Sequence, residues 1–210
     1  TSFFVLRTVG FFVSPKATNE EIFMVQKLAR EVFNSNNIAS LYDLNRTDDN
    51  EDLYSAFGIT ASTLPLRQVK DADVIVMLNS NVTEDNPVLS FDIKRAARNG
   101  AELISISSME LEINKFATLW LDARRGTSTT LLNAAISEII KHERFNAAEV
   151  NKRANNFSEF KNQHSISLSR AAEITGVDKY KIQRFADVVS GPDKNIVFVY
   201  NRGSLLEKSS

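Results

Sequence analysis

Short apolar runs alternate with amphipathic stretches along this chain. The runs at residues 9–13, 74–78, 103–106, 118–121 and 196–200 are rich in β-branched and aromatic side chains and predict strands. The run at 74–78 is wholly apolar, which is typical of a strand in the middle of a parallel sheet. The run at 9–13 ends at Ser14-Pro15 and also predicts a buried strand.

The first stretches between these runs predict helices with clear start signals. Thr18 and Glu21 have the spacing of a capping box and begin an amphipathic helix. Its apolar positions are Ile22, Val25, Leu28, Ala29 and Val32. Asn86-Pro87 begins a second helix, which ends at Gly100. We expect that helix to turn Val88, Phe91, Ile93, Ala96 and Ala97 inward.

The second half of the chain is mostly helical in pattern. Gly126-Thr127-Ser128 begins a helix whose apolar residues are Leu131, Leu132, Ala135, Ile136, Ile139 and Ile140. From residue 145 to the last strand the pattern stays helical; Gly176 separates two helices, Asp178 caps the second and Gly191-Pro192 ends it. A short helix at 53–57, ending at Gly58, is also predicted.

This alternation predicts an α/β fold. We expect three α/β/α layers around a mostly parallel, Rossmann-like sheet, with a helical segment before the last strand. Residues 1–210 are predicted to form a single α/β domain. Since the chain starts at Thr1 rather than Met, we interpret it as excised from a longer multidomain protein, with a processed N-terminus as the alternative.

Composition excludes several classes of function. The formal net charge is −1 and no long basic run is present, which argues against nucleic acid as a partner. The chain has no cysteine and two histidines, so thiolate zinc and iron–sulfur ligation within this segment are excluded. No apolar stretch is long enough for direct membrane insertion. We expect a cytoplasmic protein, or one peripheral to the membrane through a complex.

Three polar segments stand at the ends of predicted elements: two follow strands and the third precedes a helix. They are Asn79-Ser80-Asn81, Ser107-Ser108-Met109 and Arg125-Gly126-Thr127-Ser128. Loops at the carboxyl ends of parallel strands favour anionic ligands, although loops there are polar in any α/β domain. Ser137, Glu138 and His142, and likewise Asp122 and Arg124, are catalytic residue types that we place on helix surfaces, and Trp120 is interpreted as packing.

The run from Thr18 to Ile38, followed by these loops in order, resembles the molybdopterin oxidoreductase family. Catalytic members carry a Cys or selenocysteine metal ligand eight residues after an Asn-Asn turn like Asn36-Asn37, and here that position is Asn45. Arg46 stands where formate dehydrogenases carry a His. The resemblance therefore implies a degenerate metal position, because a neutral amide is a poor ligand for molybdenum or tungsten.

The resemblance also implies that the loops are altered relatives of those that grip the guanine dinucleotide of the pterin. The family's Gly-x-Asn is Asn79-Ser80-Asn81 here, so Asn81 is kept and the glycine is replaced. Ser107-Ser108-Met109 keeps none of Asp-Pro-Arg, and Gly126-Thr127 is followed by Ser128 instead of an acid or amide. The later Gly-x-Gly is Asn201-Arg202-Gly203. Asn79, Ser80, Asn81, Ser107, Gly126, Thr127 and Ser128 are thus predicted as a vestigial cofactor site.

The phrase that begins at Ser14-Pro15-Lys16 resembles most the large iron–sulfur subunit of NADH:quinone oxidoreductase. This resemblance implies a scaffold domain without bound metal, beside iron–sulfur clusters held upstream, whose partners are other domains and subunits of a respiratory or NAD-linked redox complex. The alternative is a fragment of a catalytic formate dehydrogenase-like enzyme that binds molybdopterin guanine dinucleotide. A free-standing α/β nucleotide-binding module explains the sheet but not the order of the motifs.

Overall fold

The computed structural model describes residues 9–14, 16–40, 54, 58, 62–163, 165–190 and 194–200. The chain divides into two compact units, residues 1–60 and residues 61–210. The predicted helix at 53–57 lies outside the described residues apart from Tyr54, and so do Gly191 and Pro192.

Within its described residues, 9–14, 16–40, 54 and 58, the first unit contains two short parallel strands and one helix. Strand β1 (Phe11–Val13) pairs with β2 (Ile38–Ser40), and helix α1 spans Asn19–Glu31. The predicted capping box is confirmed, because Thr18 Oγ1 accepts from Glu21 N at 3.3 Å and Glu21 Oε2 accepts from Thr18 N at 2.8 Å. The prediction that this first strand is buried is wrong, because Phe12 is exposed and Phe11 and Val13 are only partly buried. On α1, Ala29 is the buried residue.

The second unit contains the main sheet. Its strands are β3 (Val74–Leu78), β4 (Glu102–Ser107), β5 (Leu119–Asp122) and β6 (Ile196–Tyr200). The helices are α2 (Val82–Asp85), α3 (Pro87–Arg98), α4 (Ser128–Lys141), α5 (Ala147–Arg153), α6 (Phe157–Gln163), α7 (Leu168–Thr175) and α8 (Lys179–Val189). Two 3-10 helices, Leu66–Asp71 and Glu112–Phe116, precede β3 and β5.

All strand pairs of this sheet are parallel, in the order β5-β4-β3-β6. Ile75 of β3 lies opposite Leu103 of β4 on one side and Val197 of β6 on the other. The most apolar run of the chain therefore lies inside the sheet, as its composition predicted. Four helices, α5 to α8, come between α4 and β6, which confirms the predicted helical segment.

Two separate cores cover the two faces of the sheet. Alternate residues of a strand point to opposite faces, so Val76 and Met77 belong to different cores. The first core packs Val76 against α4, α7 and α8, and includes Leu131, Ala171 and Phe185. The second packs Met77 against α3 and both 3-10 helices. The predicted α/β/α layering is confirmed in this unit.

One predicted helix face is partly wrong. Ile93 and Ala96 of α3 are buried, but Val88 and Phe91 are 76% and 74% exposed. Residues two or five apart on a helix lie on opposite sides of it, so Val88 and Phe91 cannot share the face of Ile93. Within the described residues, the helices fall short of the combination of length and apolar character that crossing a membrane needs.

Candidate functional site at the carboxyl edge of the sheet

The strand order creates a switch point beside β3. The chain passes from β3 to β4 and β5 in one direction, and β6 then lies on the opposite side of β3. Ligands of open parallel sheets lie beyond the carboxyl ends of the strands at such a point, because the connections there diverge to opposite faces. The loop that leaves β3 at this place is Asn79-Ser80-Asn81.

The start of α4 lies against this loop. Asn79 Nδ2 donates to Ser128 Oγ at 2.8 Å, across 49 positions of sequence. Ser128 is the first residue of α4 and is 5% exposed; Ser80 is buried to the same degree. The tertiary structure thus brings together two of the loops that the sequence predicted as a site.

The turn before α4 is held by its own hydrogen bonds. Gly126 has a φ of 80°, a conformation that favours glycine, and Thr127 is the N-cap residue of α4. Thr127 Oγ1 donates to Arg124 O at 2.6 Å, so this hydroxyl does not cap the helix. The first turn of α4 consequently lacks a side-chain acceptor from its own N-cap residue.

Ser107 is buried at the end of β4 and is joined to different partners. Its Oγ donates to Met109 O at 2.9 Å and accepts from Trp120 Nε1 at 3.0 Å. Trp120 therefore links β5 to β4, in keeping with its interpretation as a packing residue. Ser107 shares the sheet edge with Asn79, but its hydroxyl closes the loop after β4.

An open cleft of about 560 Å³ lies beyond the ends of β4 and β5. Its walls carry one carboxylate and two guanidinium groups, and Gly176 closes one side. The lining residues are Ser108, Met109, Asp122, Ala123, Arg124, Arg125 and Gly176.

Arg124 builds one wall of this cleft by binding the end of α7. Its Nη1 donates to Glu173 O at 2.8 Å and to Ile174 O at 3.3 Å, and its backbone N donates to Thr175 O at 2.8 Å. Carbonyl groups at a helix C-terminus are unpaired and carry partial negative charge, so a guanidinium stabilises them. Sequence reasoning placed Arg124 on a surface and missed this role, since the partners lie about fifty positions away.

Glu138 is also placed differently from the prediction. It is 7% exposed and not on the surface of α4. Its carboxylate lies 3.4 Å from Lys141 Nζ and 3.3 Å from His142 Nε2, both on the solvent side of the same helix end. Lys141 thus places an ammonium group beside a largely buried carboxylate.

Several predicted positions fall outside the described residues. They are Asn45 and Arg46 at the family's metal position, and Asn201, Arg202 and Gly203 in the last loop. Within the described part of the chain, no group of three or more histidine, aspartate or glutamate side chains is placed to hold a metal ion.

Comparison with known proteins gives the same family as the loop order. The sequence model of the family named Molybdopterin oxidoreductase matches residues 7–198. The chain is 29% identical over 187 residues to the F420-dependent formate dehydrogenase subunit alpha of Methanocaldococcus jannaschii, covering 89% of this chain and 28% of that protein. It is 30% identical over 170 residues to the F420-dependent formate dehydrogenase 1 subunit alpha of Methanococcus maripaludis, covering 80% and 25%.

A solved structure has the same fold. The acetylene hydratase of Pelobacter acetylenicus superposes with a TM-score of 0.65 at 23% identity, over 82% of this chain and 23% of that one. At this identity the match concerns the fold alone. The chain thus spans about a quarter of the length of these known proteins.

Proposed function

Because this chain belongs to the molybdopterin oxidoreductase family, we propose that it is a scaffold domain of a redox-complex subunit that does not itself bind the pterin dinucleotide or the metal. The observation that carries the proposal is the hydrogen bond between Asn79 and Ser128. The two loops that would receive a dinucleotide are bound to each other.

The residues at the switch point fit a dinucleotide poorly. A pyrophosphate needs backbone amides that it can approach closely, which is why glycine is favoured in such loops. Here the Asn79 side chain lies beside the first residue of α4, and Ser107 binds Met109 and Trp120 instead of facing the edge. Asn45 adds the corresponding sequence argument at the metal position, since an amide is a weak ligand for molybdenum or tungsten.

The type of parent protein is part of the proposal. Both relatives named above are alpha subunits of formate dehydrogenases, which supports a formate dehydrogenase-type complex. The residues from Ser14 to Glu21 support the large iron–sulfur subunit of NADH:quinone oxidoreductase. Either parent would place this domain beside iron–sulfur clusters in another segment, with other subunits as its partners.

The second candidate is a catalytic formate dehydrogenase-like enzyme that holds molybdopterin guanine dinucleotide. The names of the relatives favour it, and so does the turn at Gly126-Thr127, whose conformation leaves the first turn of α4 without a cap from Thr127. This candidate needs the loop after β3 to separate from Ser128 when the cofactor binds.

Metal and pterin content of the full-length protein decides between the two. We expect molybdenum and tungsten far below stoichiometric amounts by mass spectrometry, and no fluorescent pterin after oxidative release. A formate dehydrogenase alpha subunit expressed in the same host controls for cofactor supply. Stoichiometric metal with pterin would refute the scaffold proposal and establish the second candidate. Iron and acid-labile sulfide in the same sample test the proposed iron–sulfur context.

A further inference from the structure

Asn79 occupies a backbone conformation that usually belongs to glycine. Its φ is 45°, in the left-handed region, which asparagine tolerates better than most residues with a Cβ. Glycine would adopt the same conformation without strain. The loop after β3 therefore has a glycine-like backbone and carries an additional polar side chain.

That side chain lies at the beginning of a long helix. α4 has 14 residues, and its first backbone N–H groups have no intrahelical partner. Thr127 leaves them uncapped because its hydroxyl binds Arg124 O, whereas Asn79 Nδ2 binds the hydroxyl of Ser128 at 2.8 Å. Because the Asn79 amide nitrogen donates, it does not cap these N–H groups; it joins the β3 loop to the side chain of the first helical residue.

We propose that Asn79 is an internal lock that excludes phosphate-containing ligands from the switch point. The amide bonds to buried Ser128 at 2.8 Å, and this hydrogen bond joins the β3 loop to the start of α4. The inference rests on the proposed scaffold function and names the residue responsible for it. Loss of the amide should both loosen the helix start and make room for a phosphate.

The test is Asn79→Gly in the full-length protein, with GDP and inorganic pyrophosphate as probes in titration calorimetry. The variant keeps the backbone conformation and removes the amide, so we expect GDP to bind at least about tenfold more tightly than to the wild type, with affinity that falls as salt is added. Asn156→Gly is the matched control, because Asn156 also has a positive φ, of 57°, and lies at the start of α6. We expect it to bind GDP no better than the wild type.

A second measurement does not depend on a ligand. Amide hydrogen exchange at residues 131–134, where the helical hydrogen bonds of α4 begin with Leu131 N donating to Thr127 O at 3.1 Å, should be faster in Asn79→Gly and in Ser128→Ala, and unchanged in Asn156→Gly. Should Asn79→Gly fail to fold, Ser128→Ala carries this test alone.

The lock is refuted if wild type and folded Asn79→Gly bind GDP equally, or if neither binds it. It is also refuted if exchange at 131–134 is the same in all variants. These results differ from failure of the scaffold proposal, which would appear as pterin and metal in the unmodified protein.

Discussion

The turn between α7 and α8 depends on one buried hydroxyl. Thr175 is fully buried; its Oγ1 donates to Ala171 O at 2.8 Å and accepts from Val177 N at 3.2 Å. Val177 is itself 4% exposed, so water cannot replace the lost partner of its N–H. Thr175→Val keeps the shape of the side chain and removes both hydrogen bonds.

The expected loss of stability comes from the Val177 N–H, which has no acceptor once the Thr175 hydroxyl is removed. Leaving a buried N–H without a partner costs about 1–3 kcal/mol, so we expect Thr175→Val to lower the free energy of unfolding by about 2 kcal/mol. With a urea m-value of about 2 kcal/mol/M, the midpoint should fall by roughly 1 M. Trp120 is the only tryptophan of the chain and lies in the unit of residues 61–210, which also contains Thr175. Its fluorescence therefore reports the unfolding of the unit that carries the substitution.

Thr175→Ser is the matched control. It retains the hydroxyl and removes one methyl group, which should cost about 1 kcal/mol. The reasoning predicts that the valine variant is the less stable of the two. Equal stabilities, or a valine variant as stable as the wild type, would show that Val177 N–H does not depend on this hydroxyl.

Three further pairs of substitutions test other parts of the structure. Arg124→Gln should cost about 1 kcal/mol in the same urea assay, because the C-terminal carbonyls of α7 lose a cation, while Arg125→Gln should stay within about 0.5 kcal/mol; equal effects would contradict the capping role. Ile93→Ala should cost about 3 kcal/mol and Phe91→Ala less than about 0.5, and a cost of about 3 kcal/mol for both would support the buried face predicted from the sequence. Thr18→Ala should destabilise the start of α1 by about 1 kcal/mol, seen as faster amide exchange in its first turn, and Thr18→Ser should not; equal exchange in both variants would argue against the capping box.

Local signals in the sequence were sufficient for much of the fold. The apolar run at 74–78 identified an inner strand because a strand buried on both faces needs continuous apolar residues. The Thr18 capping box and the Asp178 cap could be predicted from the sequence because both are contacts within one helical turn. Asp178 accepts from Tyr180 N at 2.7 Å, as its position before α8 predicted.

The sequence did not show which apolar residues of a helix are buried and which are exposed. Phe91 and Ile93 are both large and apolar, and only packing against β3 and β4 decides which of them is buried. A helix of mixed pattern offers more than one apolar face. The helical period limits which residues share a face, but it does not say which face meets the sheet.

The sequence by itself determined the family, the alternation of strands and helices, and the positions of the polar loops that follow the strands, because these are properties of local pattern and order. Only the tertiary structure decided that Asn79 meets Ser128, that Arg124 binds the end of α7, and that Glu138 is buried. Each of these depends on residues or elements separated along the chain that a parallel sheet and its crossovers bring together. Spacing in the sequence carries no information about which side chain fills the space between two such loops.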